Sequence, residues 1–301
     1  MKRPTGSHED HATLSWTSAH VFRHDDLDTL LTDAVVPLVN RLSKQQLIRG
    51  FFYLRYWEGG PHLRVRVQAI PEHSDRVRSE LADELSAYLR ANPSRDLVTQ
   101  TSYKDWAAHF AGLEALEGYE PYLRSPDTIS FEKYVPECAS FGRGLSLATV
   151  ERHFCDSARI ALQTVPLPLP QRLSTAMVMT LATHVSLPPA NTSRKLAAED
   201  EAAWRASRDD LVGMARRLHT AEPESGPDLP VLDWLGSMRE LRNDLTALQT
   251  RDLFEVSRER PVAHALHRCL HLHLNRMGIK PEEERRLRGL SRRAVSAVIG
   301  S

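Results

Sequence analysis

The chain has 301 residues, of which 41% are hydrophobic, with 39 basic and 39 acidic side chains giving a formal net charge of zero. That length can bury a proper core, as one large domain or two small ones, while the charge balance leaves no electrostatic footprint for nucleic acid or an anionic membrane. No stretch approaches the roughly 20 apolar residues of a membrane span. Three cysteines, Cys138, Cys155 and Cys269, lack CxxC spacing and argue for packed thiols in a reduced cytoplasm rather than a disulfide framework.

Residues 1–14 are polar and read as a flexible tail. Trp16 to Arg23 reads as a first strand. Asp25 or Asp26 can cap a helix whose apolar positions Leu27, Leu30, Leu31, Ala34, Val35, Leu38 and Leu42 recur at helical spacing, with Pro37 expected to kink it. Ser74 can cap a second helix with Val77, Leu81, Leu85 and Leu89 inward, stopped at Asn92-Pro93. Residues 93–128 read as irregular and aromatic, and Thr128 to Tyr134 as a last strand.

Between the two helices lies the clearest local signal, Ile48 to Val67, two β-rich runs joined by Gly59-Gly60. A two-residue loop sets Trp57 opposite His62, Arg55 opposite Arg64 and Tyr53 opposite Arg66 on one face, and gathers Phe52, Leu54 and Tyr56 with Leu63, Val65 and Val67 on the other. One face packs and the other is cationic. A solvated sheet face is the plain alternative; directly opposed like charges are destabilising, however, so an anionic or peptide-like ligand there accounts better for the arginines. Arginine beside Tyr and Trp suits forked hydrogen bonds to carboxylate or amide oxygens.

The expected fold is therefore α+β: an antiparallel sheet of split β-α-β-β-α-β type in a sheet-containing half, 15–140, packed with a mostly α-helical half, 141–301, the two forming a single domain. Helical patterns run at roughly 145–164, 169–186, 195–219, 232–250, 260–277 and 281–299, broken by Pro166 to Pro170, Pro188-Pro189 and Pro223 to Pro230. No internal repeat and no Gly-rich phosphate loop is present.

The helix from Pro261 carries His264, His267, His271 and His273. Histidines at this spacing can chelate zinc, yet no Glu or Cys pair completes a site, and no metal is expected. General acid or base work by one of them is the better functional reading. Glu137 follows the last strand where the sheet meets the helical half. Ser157 has no nucleophile elbow around it, which argues against acyl transfer.

Taken together, Trp16-x-x-x-His20-Val21, the block Phe51 to Arg66 with its Arg-Tyr-Trp-x-Gly-Gly-Pro-His-Leu-Arg core, Tyr134-x-Pro-Glu137, His153 to Ser157 and Leu270 to Arg276 resemble the small elimination domain of class I lantibiotic dehydratases. That domain also occurs alone as thiopeptide-type bacteriocin biosynthesis proteins. The resemblance implies removal of glutamate from glutamylated Ser or Thr, with Arg64 and Arg66 gripping the glutamate, Glu137 as the family glutamate and His271 as the catalytic histidine. One position departs: the arginine that follows Pro-Glu in eliminating members is Ser140 here, with Arg143 three residues on.

That departure, the free-standing length and the opening Trp-x-x-x-His-Val favour the thiopeptide pyridine synthases, which perform a formal aza-[4+2] cycloaddition of two dehydroalanines, lose water and expel the leader peptide. In this reading His271 does acid–base work, Glu137 orients or assists it, and Arg64 and Arg66 hold amide oxygens. Tyr53 and Trp57 stack on azole rings, and Arg55 and His62 complete the substrate face. The competing readings are the glutamate-eliminating lyase and a non-catalytic leader-binding partner of a split dehydratase. The implied partner is a leader-bearing precursor peptide, joined by other biosynthetic enzymes; neither chemistry requires a cofactor. The oligomeric state stays open, a homodimer included.

Overall fold

The structure, a computed structural model, describes residues 16–95, 97–114, 118–187, 198–220 and 230–299. The tail of residues 1–14 and the breakers at 188–189 and 223–229 lie outside them. Strand β1 (Trp16–Phe22) leads into α1 (Leu27–Leu30), a π-helical turn (Leu31–Val35) and α2 (Val36–Lys44). Asp26 is the cap, its carboxylate accepting the Asp28 N–H at 2.8 Å. Pro37, lacking an N–H to give the helical ladder, is the second residue of α2, just after the π turn.

Strands β2 (Ile48–Tyr56) and β3 (His62–Ala69), α3 (Ser74–Ala91), α4 (Gln100–Glu114) and β4 (Thr128–Lys133) complete the first half. The strand order is β2-β3-β1-β4 with antiparallel pairing throughout, the expected split arrangement. Ser74 is not a cap: it is the first residue of α3 and its hydroxyl donates to the Pro71 carbonyl. The segment read as irregular contains α4, whose entry carries a reciprocal cap. Ser102 N–H donates to Thr99 Oγ1 at 3.1 Å and Thr99 N–H to Ser102 Oγ at 3.2 Å, with Tyr103, Ala107 and Ala111 buried one turn apart.

The hairpin register also differs from expectation. Tyr56 pairs with His62, Leu54 with Arg64, Tyr53 with Val65 and Phe52 with Arg66, so the connection is the five residues Trp57 to Pro61. The cause is tertiary. Trp57 leaves the strand to stack on Phe110 of α4 at 5.9 Å, Gly59 N–H donates to the Tyr103 hydroxyl, and Glu58 accepts the Glu120 N–H. A one-residue slip sends every β2 side chain to the other face. Phe52, Leu54 and Tyr56 therefore join Arg64, Arg66 and His62, while Tyr53 and Arg55 lie on the face with Leu63, Val65 and Val67.

That second face is the packed one. Ala19, Val21, Leu63, Val65 and Val67 are fully buried, as are Leu30, Leu31, Leu42, Val77, Leu81 and Leu85 of the helices over them. The helical half comprises α5 (Cys138–Phe141), α6 (Leu145–Leu162), α7 (Leu169–Ser186), α8 (Ala198–Thr220), α9 (Pro230–Gln249), α10 (Pro261–Arg276) and α11 (Pro281–Ile299), with α6 and α10 packed on β2.

Three buried His–Ser pairs tie these helices together. His153 meets Ser237 across α6 and α9 at 2.8 Å, His184 meets Ser291 across α7 and α11 at 2.7 Å, and His273 meets Ser157 across α10 and α6 at 2.8 Å. His273 also stacks on buried Trp234 with centroids 3.9 Å apart. Burial holds all three rings neutral: it pushes His153 down to about 3, and His184 and His273 well below the ordinary range.

Because the unfolded chain binds protons at these rings below pH about 6.5 and the native chain does not, stability is complete above that pH and falls as pH drops toward the native values, by about 1.4 kcal/mol per unit of separation for each ring. Urea unfolding followed by circular dichroism is expected to show a steep loss of stability between pH 6.5 and 4; a flat profile across that window would contradict it.

Candidate functional site

The other sheet face, partly covered where Phe52 packs on Phe154 of α6, is a floor of cations and rings. The Arg64 guanidinium lies 3.5 Å over the Tyr56 ring centroid, 3.6 Å from the Glu58 carboxylate, and its Nε donates to His62 Nε2 at 3.3 Å. His62 is buried; its Nδ1 donates to the Gly60 carbonyl at 2.8 Å, so the Arg64 bond falls on the bare nitrogen. His20, paired with Arg64 across β1 and β3, stacks on His62 with centroids 5.2 Å apart. Arg66 lies over Tyr134 at 4.9 Å and Phe52 at 5.4 Å.

Electrostatics divide these groups cleanly. Burial, then the neighbouring guanidiniums, lowers His20 to about 3; burial does the same to His62 despite its bond to Gly60. Burial lowers Arg66 to about 10, still a cation at neutral pH, with Tyr134, Glu137 and Glu151 opposing the shift. Trp16 Nε1 donates to Glu151 at 3.0 Å, and Tyr134, raised by burial and by Glu151, hydrogen-bonds the same carboxylate. At neutral pH the floor thus presents fixed positive charges and neutral imidazoles.

Glu137 borders this floor beside a shallow pocket of about 570 Å³ lined by Tyr134, Glu137, Ser140 and Arg143 among others. Arg268 of α10 grips Glu137 with two bonds, Nε to Oε2 at 2.7 Å and Nη2 to Oε1 at 3.0 Å. Ser140 Oγ lies 3.3 Å from His264 Nε2. His271 Nδ1 meets Glu284 at 2.8 Å. Burial resists ionisation of Glu284, but the His271 bond and the charges of His271, Arg288 and Arg268 outweigh it and lower its pKa. Two ion pairs therefore anchor α10 on this side, Arg268 with Glu137 and His271 with Glu284.

Of the residues expected from sequence, Arg64, Arg66 and His62 share the floor, Glu137 lines the pocket beside Tyr134, and His271 lies on α10 against Glu284 of α11. Trp57 stands at the hairpin tip, stacked on Tyr56 at 5.8 Å. Tyr53 and Arg55 do not belong there, because the register slip turns them away: Tyr53 is fully buried with its hydroxyl donating to the Arg276 carbonyl at 3.1 Å, and Arg55 is paired with Asp28. Sequence reasoning missed Arg268, although His264, Arg268 and His271 share one helix face at i, i+4 and i+7. It also gave Tyr134 and Glu151 no role. His267 sits against His184 instead, with centroids 5.6 Å apart. Among the described residues no group of three His, Cys, Asp or Glu side chains is placed to hold a metal ion.

The C-terminal end of α10 fixes this geometry by completing the outer edge of β2. Arg55 N–H donates to Asn275 Oδ1 at 2.9 Å, Asn275 Nδ2 donates to the Arg55 carbonyl at 2.8 Å, and Arg276 Nε donates to the Tyr53 carbonyl at 3.0 Å.

With that arrangement in view, the sequence matches the family described as the C-terminal region of lantibiotic biosynthesis dehydratases over residues 16–295. The chain belongs to that family. Its fold is similar to the pyridine synthase TbtD from thiomuracin biosynthesis, with a TM-score of 0.75 at 20% identity over 95% of this chain and 99% of that one. It is similar to TsrL, with a TM-score of 0.65 at 17% identity over 95% of each. The tRNA-dependent lantibiotic dehydratase MibB from Microbispora sp. 107891 aligns with all of this chain but 29% of its own length, with a TM-score of 0.61 at 19% identity. No curated protein sequence matches the chain. The α10 cap on β2 is open to test by its removal. Replacing Asn275 by Ala leaves one donor and one acceptor of β2 unpaired and should cost about 1–3 kcal/mol in chemical denaturation; an unchanged unfolding midpoint would show that the edge needs no partner.

Proposed function

We propose that this protein is an enzyme of ribosomal peptide modification that joins two dehydroalanines of a leader-bearing, azole-containing precursor by a formal aza-[4+2] cycloaddition, closing a pyridine-centred macrocycle with loss of water and expulsion of the leader. The observation that carries this reading is the state of the Glu137 pocket. Where the family resemblance places an arginine that eliminating members use, Ser140 offers only a hydroxyl toward His264, and Glu137 is already clamped by Arg268. Similarity of fold to a pyridine synthase over nearly the whole of both chains supports it.

On this reading the floor acts chiefly by placement. Two distant parts of a flexible peptide must meet in reacting geometry, and such preorganisation can contribute about 7–11 kcal/mol. Arg64 and Arg66 hold amide oxygens with charge-assisted bonds. Tyr56, rather than Tyr53, offers a ring beside Arg64, and Trp57 extends the aromatic track. His271, held by Glu284, is placed for proton transfer in the later eliminations, and Glu137 orients Arg268 beside it.

A second reading, elimination of glutamate from glutamylated Ser or Thr, is favoured by Arg143, which lines the same pocket as Glu137 and Ser140. A platform that only binds the leader is the third.

Mass spectrometry of the purified chain with a leader-bearing peptide carrying azoles and two dehydroalanines is expected to show loss of the leader plus water and new pyridine absorbance, with kcat/KM reduced at least about tenfold in Arg64→Ala, Arg66→Ala and His271→Ala, about 1.4 kcal/mol or more each. Release of free glutamate from a glutamylated peptide would instead establish the lyase. Binding of both peptides with neither changed in mass would leave the platform.

A further inference from the structure

His20 is the imidazole of the sheet floor that the proposed roles leave unused. Its position is set by pairing: β1 runs beside β3, so His20 lies across from Arg64, with Ser18 and Arg66 as the next pair on the same face and Ser130 of β4 on its other side. Its ring is half-buried and stacks on His62. His62 is spent on Gly60 and Arg64, whereas nothing among the described residues hydrogen-bonds the His20 ring. A ring stacked on His62, with neither nitrogen hydrogen-bonded among the described residues and Arg64 across from it on β3, is built to meet a ligand.

We propose that His20 is a catalytic residue of this floor, shuttling the proton that converts the reacting dehydroalanine amide into its iminol form while Arg64 and Arg66 hold the carbonyl oxygen. This assignment rests on the cycloaddition reading above. In the step, the amide N–H bond breaks and its electron pair becomes the C=N π bond. The C=O π pair moves to oxygen, the imidazole takes the proton from nitrogen and delivers it to that oxygen, and the ring ends neutral as it began. The resulting 2-azadiene then forms two carbon–carbon bonds with the second dehydroalanine.

The surroundings suit a transient base. Burial, Arg64, His62, Arg66 and Arg124 all disfavour the imidazolium, so the ring waits unprotonated at neutral pH. Negative charge growing on the carbonyl oxygen against Arg64 and Arg66 offsets that repulsion where the proton is transferred, strengthening the base only when substrate is in place.

The test is steady-state kinetics of His20→Asn on the same bis-dehydroalanine peptide, followed by release of leader. Asparagine keeps hydrogen-bonding capacity but cannot carry the proton, so kcat is expected to fall about 10²–10⁴-fold with KM within about threefold of the parent; His20→Gln serves in its place if the first variant loses its near-ultraviolet circular dichroism signal. Turnover within a few-fold of the parent, or a loss confined to KM, overturns the assignment and leaves His20 a positioning residue. A parent enzyme that does not change the mass of this peptide overturns the cycloaddition reading, and this assignment with it.

Discussion

A strand at the edge of a sheet presents unpaired backbone groups that water or another element must satisfy. Here the edge belongs to β2, and the C-terminal end of α10 supplies what a fifth strand would. Asn275 pairs with both backbone groups of Arg55 through its amide, and Arg276 takes the Tyr53 carbonyl. Arg276 is fully buried, with Phe52 and Phe154 around its guanidinium and the Ser157 hydroxyl accepting from Nη1 at 2.9 Å. Burial lowers its pKa to about 10, which leaves it charged. Desolvating a cation is expensive, and the neutral acceptors around it offset part of that cost. The consequence is geometric: the helix that carries His264, Arg268 and His271 is fastened to β2.

The order of elements was legible in the sequence because hydrophobic periodicity carries it. Leu169–Ser186 and Pro281–Ile299 have the expected limits, and the other long helices differ by a few residues at their ends. The strand order follows from the β-α-β-β-α-β succession. The hairpin register was not legible, because Gly59-Gly60 alone specifies a two-residue loop. What lengthens that loop is contact with Tyr103, Phe110 and Glu120, some 40 to 60 residues away. One residue of slip exchanged the faces of Tyr53 and Tyr56, moving the aromatic partner of Arg64 from one to the other. Helix α4 was hidden for a different reason: its cap uses Ser102 where the familiar capping box has Glu or Gln.

The site was legible by halves. Arg64 and Arg66 could be placed because they lie on the same strand two residues apart, and alternation on a strand needs no partner. Arg268 and Glu284 could not, since their significance comes from what they touch: Glu137 is 131 residues from Arg268 in sequence, and the bond between them exists only in the fold. The argument for a ligand from directly opposed arginines lapses with the register change, since Arg64 faces Leu54 and His20 rather than Arg55. What remains is a pair of guanidiniums on rings, with neutral imidazoles between β1 and β3.

Where the peptide lies decides whether this floor is the seat of chemistry. A crystal structure of the chain with a leader-bearing peptide in which one reacting dehydroalanine is replaced by alanine, so that it binds without cyclising, should show core-peptide amide oxygens on Arg64 and Arg66 and the remaining dehydroalanine beside His20. Core peptide seated elsewhere, with the sheet floor bare, would contradict the assignment of the site.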